Sequence, residues 1–121
     1  MLDPERFGEL RDDFSEADLK ALLGSFLDLT PGTVDELVLG AAAWDAGATR
    51  AAAHKLRGGC LAIGVLRLAR TSGELERLAL GDALAGDPAV LVARAREEWR
   101  ELQVALRAIV DRPPGAGVLS P

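Results

Sequence analysis

Apolar residues recur at a three-to-four-residue interval through most of this chain, and nowhere do they alternate one in, one out. Leu19, Leu22, Leu23, Phe26 and Leu27 keep that interval, and Val34, Leu37, Val38 and Ala41 resume it. Ala53, Leu56, Cys60 and Ile63 form a third stripe, Leu68, Ser72, Leu75 and Ala79 a fourth. Val92, Ala95, Trp99, Leu102, Leu106 and Ile109 complete the set. A period near 3.6 puts each group on one face of a helix, and a strand would need a period of two. Each stripe must be covered, and helices joined by short loops cover one another. Aromatic residues are only 4% of the chain, so the core must be built from Leu, Ala and Val, which favour helix. The expected fold is all-α: an up-down antiparallel four-helix bundle with a short extra N-terminal helix.

The breaks between stripes carry helix-end chemistry. Asp3 before Pro4 reads as an N-cap and first-turn proline, opening a short helix over residues 4–12. Ser15 with Asp18 resembles a capping box and starts the next helix. Thr30-Pro31-Gly32 should kink or break it, with one long kinked element favoured over two helices. Asp45-Ala46-Gly47 is the turn into a helix ending near Gly64, and the following helix stops around Gly81. Asp87 then N-caps a last helix whose first residue is Pro88. Its outer face, Arg94, Arg96, Glu97, Arg100 and Glu101, reads as solvated charge. Residues 1–112 form the expected bundle, and the Pro/Gly-rich stretch 113–121 an expected disordered tail.

Composition excludes several classes. A net charge of −5 leaves no basic excess for a nucleic-acid backbone. No apolar run approaches the roughly 20 residues of a membrane span, and no signal peptide is recognised, so the cytoplasm is the expected compartment. One cysteine, Cys60, cannot form an intramolecular disulfide, and its place on the third stripe makes it a small core hydrophobe.

His54 is the only histidine, and it stands about 140° from the middle of the apolar stripe on its own helix. Arg50, Arg57, Gly58 and Leu61 lie one turn to either side of it. That is a solvent-facing imidazole among cations, a nucleophile with a free lone pair near neutral pH. A metal site is not expected, because no second histidine or cysteine pair stands near it. Gly58 and Gly59 each cost about 0.8–1 kcal/mol in a helix body relative to alanine, which calls for an offsetting reason such as a close approach beside His54.

His54, Leu56, Arg57, Gly58 and Gly64, followed by Leu66, Leu68, Leu75 and Glu76, make a segment that resembles the histidine-containing phosphotransfer (HPt) domain of multistep phosphorelays. The likeness continues upstream through Leu22, Leu23, Phe26, Leu27, Pro31 and Leu37. One departure is Arg57, where the family usually has lysine; arginine keeps the charge and can still hold a phosphoryl oxygen. The resemblance implies that His54 accepts a phosphoryl group from an aspartyl phosphate of a response-regulator receiver domain, and returns it. It implies that Arg57, Gly58 and Glu76 neighbour the phosphoryl group, with Glu76 able to hold the other imidazole nitrogen. Arg50 becomes a candidate ion-pair partner or docking contact, Leu61 part of an apolar docking patch, and Lys55, almost 100° away, plain surface. No cofactor is implied for this chain; Mg²⁺ is expected on the receiver.

The implied partners are receiver domains and a (hybrid) histidine kinase, with no nucleic acid and no membrane, and a monomer is the simplest state. The chain would be a phosphocarrier, not an enzyme with turnover, since it has no ATP-binding motif. Two other readings stand beside this one. The chain could be the phosphoacceptor domain of a chemotaxis-type histidine kinase, or a helical module that only docks partners.

Overall fold

The computed structural model describes residues 3–113, and the expected tail lies, from residue 114 onward, outside them. Five helices follow one another: α1 (Pro4–Asp13), α2 (Glu16–Ala42), α3 (Ala46–Ile63), α4 (Leu66–Leu78) and α5 (Ala89–Val110). No strand occurs among the described residues. α3 packs between α2 and α4, α5 closes the ring against both, and α1 lies across α2 and α3. Cross-contacts fix the antiparallel sense of each neighbouring pair. Thr71 near the start of α4 donates to Glu98 in α5 (2.5 Å), and Arg94 near the start of α5 reaches back to Glu74 at 3.1 Å. The all-α, four-helix expectation holds.

The stripes read from the sequence are the core. Leu19, Leu23, Leu27, Leu37, Leu56, Cys60, Ile63, Leu68, Leu75, Leu102 and Leu106 are all almost wholly buried. At about 25 cal/mol per Å² of apolar surface removed from water, these leucines and their neighbours supply most of the drive to fold. Phe26 and Trp99 meet edge to face, with ring centroids 5.8 Å apart, and tie α2 to α5.

Helix ends follow the capping chemistry closely. Asp3 Oδ1 accepts from the Glu5 amide, Ser15 Oγ from Asp18, and Asp45 Oδ1 from Ala48. Gly64 closes α3 in the left-handed conformation (φ 82°), and a Cβ there would stand 3.1 Å from Arg6 Cβ. Both the backbone angle and the space exclude a side chain.

The single long element favoured through Thr30-Pro31-Gly32 is found, and two helix boundaries are corrected. Pro31 lies inside α2, which runs unbroken for 27 residues. An interior proline costs about 3 kcal/mol, and burial of Leu27, Thr30, Val34 and Leu37 on either side offsets it. α4 ends at Leu78, before Gly81, because Arg50 takes up the carbonyls that follow. α5 begins at Ala89: Pro88 stands at the cap position, while Asp87 Oδ1 still accepts from the Ala89 amide at 2.9 Å.

Candidate functional site

The site sits where α3 and α4 face each other. Gly64 and Val65 reverse the chain between them so tightly that positions match in antiparallel register. Arg57 lies over Gly73, His54 meets Glu76, and Arg50 reaches Leu80. His54 is thrown outward because Ala53 and Leu56 on the same helix are buried. Its side chain is 74% exposed.

Glu76 holds this ring from below. Its Oε2 lies 3.1 Å from His54 Nδ1, and its Oε1 lies 3.5 Å from Arg57 Nη1. The Glu76 side chain is only 17% exposed, so the carboxylate is a partly desolvated brace between the two residues. A carboxylate only accepts, so the ring nitrogen facing it carries the hydrogen. Nε2 is then left with its lone pair free on the solvent side. The imidazole is oriented before any partner arrives.

The two helix-interior glycines have separate reasons. At Gly59 a Cβ would stand 3.4 Å from the Phe26 ring, so this position lets the aromatic side chain of α2 lie against α3. At Gly58 a Cβ would meet nothing within 4 Å. The packing of this chain does not ask for glycine there, and the space above it, one turn from His54, is open.

The remaining candidates are distributed as follows. Leu61 is exposed on the His54 side. Lys55 pairs with Glu36 at 3.4 Å, away from the imidazole. Arg50 makes no ion pair among the described residues and is engaged within the fold. Its half-buried guanidinium donates to the carbonyls of Ala79 (2.9 Å) and Leu80 (3.3 Å), satisfying backbone acceptors that the end of α4 leaves over. Among the described residues no three His, Cys, Asp or Glu side chains are grouped to hold a metal ion.

Two residues that matter here escaped the sequence reading. Glu98, among the charges of α5, is buried; it accepts from Thr71 and lies 3.6 Å from Arg67 Nε. The only signal for it was its register, one residue from Trp99 on the inner stripe. Arg77, beside Glu76, brings its guanidinium over Gly73 next to Arg57.

Comparison with known proteins now decides the family. The model of the Hpt domain family matches residues 21–112, about three quarters of the chain, with His54, Arg57, Gly58, Gly64 and Glu76 all inside the match. The chain belongs to the Hpt domain family. A solved structure, the HPT domain from the Hpt sensor hybrid histidine kinase of Shewanella, is similar over 94% of this chain and 97% of that one, with TM-score 0.77 and 18% identity. At that identity the likeness speaks for the fold. Among curated proteins no match is found. Hpt domains serve phosphotransfer in phosphorelays, as phosphocarriers that meet receiver domains and kinases, and the helical bundle described above is their fold. No helix among the described residues is long and apolar enough to cross a membrane.

Cys60 lies beneath the site on the buried face of α3, wholly inaccessible. Burial, and secondarily the Glu98 carboxylate, push its thiol from an ordinary 9.0 up to about 12. The folded protein therefore keeps this proton where the unfolded chain has lost it. Over that window the unfolded state binds fewer protons, so stability falls as pH rises above about 9 and levels off only near 12. We predict that unfolding midpoints measured from pH 8 to 10.5 drop faster for the wild type than for Cys60→Ala, the gap widening by about 1 kcal/mol per pH unit. Parallel curves would mean the thiol ionises without opposing the fold. The same burial makes Cys60 inert to thiol reagents until the chain unfolds.

Proposed function

We propose that His54 is the phosphoryl acceptor and donor of this Hpt domain, exchanging the group with an aspartyl phosphate of a response-regulator receiver domain. The observation that carries the reading is the exposed imidazole braced through Nδ1 by Glu76, with Nε2 free. In the forward step the Nε2 lone pair forms a bond to phosphorus. The bond from phosphorus to the aspartyl oxygen breaks, and its electron pair leaves with the aspartate carboxylate. The ring keeps its Nδ1 hydrogen and becomes cationic, and the Glu76 carboxylate at 3.1 Å balances that charge. Donation is the same path reversed.

Phosphoryl transfer of this loose kind needs positioning and charge more than covalent chemistry from the protein. Arg57 supplies charge beside the ring, and the open space at Gly58 admits the partner's loops. Leu61 adds apolar contact. Mg²⁺ and the acidic pocket would belong to the receiver, so this chain acts as a carrier without turnover chemistry, in the cytoplasm, as a monomer.

The test is label transfer from a phosphorylated receiver to the wild type and to His54→Gln. The expected result is acid-labile, base-stable phosphate on the wild type alone. Label on the variant, or label that survives acid, overturns the assignment. Label arriving only from a kinase's ATP-binding portion, never from a receiver, would make the chain a kinase phosphoacceptor domain instead.

A further inference from the structure

The wall beside His54 carries one cation more than its own fold uses. Arg57 shares the Glu76 carboxylate with the imidazole. Arg77, exposed, has neither an ion pair nor a side-chain hydrogen bond to any described residue. Yet its guanidinium does not extend away from the helix. Helical side chains lean toward the N-terminus, and Arg77 folds back one turn over Gly73. Its Nη1 lies 3.6 Å from where a Cβ of Gly73 would be, and Arg57 Cδ and Nε lie 3.6 and 3.8 Å from the same point.

Two guanidinium groups thus converge on one buried glycine, with a single carboxylate between them and the histidine. Of the other arginines of α4 and α5, Arg94 pairs with Glu74, Arg67 with Glu98 and Glu101, and Arg100 with Glu97, while Arg70, Arg96 and Arg107 make no ion pair with a described residue. What sets Arg77 apart is its place over Gly73, against Arg57 and beside Glu76. The chain as a whole carries −5. A local positive excess in an acidic protein, held in place with no internal partner, is complementary to an external anion.

We propose that Arg77 is a recognition residue for the acidic surface around a receiver's phosphorylation site, pairing with its carboxylates as the receiver closes on His54. This rests on the phosphotransfer reading above, and concerns how the partner is held, not the bond-making step. Arg57, already sharing Glu76, stays with the phosphoryl group; Arg77, unshared, meets the protein that brings it.

The experiment measures binding separately from transfer. A receiver domain of a hybrid histidine kinase, loaded with Mg²⁺ and beryllofluoride to mimic the aspartyl phosphate, is titrated with wild type, Arg77→Gln and Arg77→Lys at several salt concentrations. Arg77→Gln should bind about three- to tenfold more weakly at low salt, with a shallower salt dependence, and Arg77→Lys should recover much of the loss. The maximal single-turnover rate at saturating phosphorylated receiver should stay within twofold, and the unfolding midpoint should not move, since the side chain holds nothing in the fold. Unchanged affinity and salt dependence overturn the proposal. A lowered maximal rate at unchanged affinity also overturns it, and would place Arg77 on the phosphoryl group itself. A wild type that binds the receiver but takes no label sinks the His54 assignment while leaving the Arg77 comparison decisive.

Discussion

Gly58→Leu should yield a protein that is more stable than the wild type and a far poorer phosphoryl acceptor. Leucine is a better helix former than glycine by about 0.8 kcal/mol, and a side chain at this position meets nothing within 4 Å in the bundle. Thermal unfolding should therefore shift upward by a few degrees. The same side chain would stand one turn from His54, in the space a receiver must enter. Transfer requires the reacting atoms at about 3–3.5 Å and aligned, and a misplacement of about 1 Å can cost on the order of a hundredfold. A drop in single-turnover rate of about that size, at raised stability, is the expected pair of results. Stability that falls along with the rate would show that glycine is needed for packing here. A rate that does not fall would mean the partner approaches from another side.

Much of this site was legible in the sequence because it lies within one helix. The positions of Arg57, Gly58 and Leu61 relative to His54 are set by 100° per residue and nothing else, and the capping residues Asp3, Ser15 and Asp45 mark where the helices start. The pairing of His54 with Glu76 needed one thing more, the two-residue reversal at Gly64 and Val65 that fixes the register of α4 on α3. The left-handed glycine suggests such a turn, but only a resemblance to known domains attached Glu76 to the imidazole beforehand. What the sequence hid was long-range or rotameric. Arg50 was assigned outward by its helical angle, yet a long side chain can bend to unsatisfied carbonyls at the end of a neighbouring helix. Nothing in the sequence singled out Arg77, because only the antiparallel match of Arg57 with Gly73 brings it alongside. Trp44 occupies the left-handed position after α2 (φ 54°), where glycine is the usual residue, and is exposed there. The Asp45 amide to Gly40 carbonyl bond of 2.9 Å closes that turn despite the side chain, an arrangement that local preference argues against.

The glycines of α2 provide the second large effect, because one helix holds two opposite cases. At Gly24 and at Gly32 a Cβ would meet nothing within 4 Å. Alanine at either should stabilise the protein by about 0.5–1 kcal/mol through helix propensity and a less disordered unfolded chain. Gly40 is different. A Cβ there would stand 3.1 Å from Ala48 Cβ, 3.1 Å from the Thr49 backbone nitrogen and 3.2 Å from the Ala48 carbonyl carbon. Two of those three atoms are backbone at the start of α3, so no rotamer change relieves the contact. Thr49 and Ala46, just beneath, are buried, which prevents α3 from simply lifting away. Overpacking of this kind costs about 1–3 kcal/mol, which outweighs the propensity gain. Gly40→Val should lose more than Gly40→Ala, since a β-branched side chain adds bulk where the helices touch. Denaturant midpoints for the three alanine variants should therefore split in sign, with Gly24→Ala and Gly32→Ala above the wild type and Gly40→Ala below it. Should all three rise together, α2 and α3 would have to stand farther apart than the structure places them, and the register that aligns His54 with Glu76 would lose its footing.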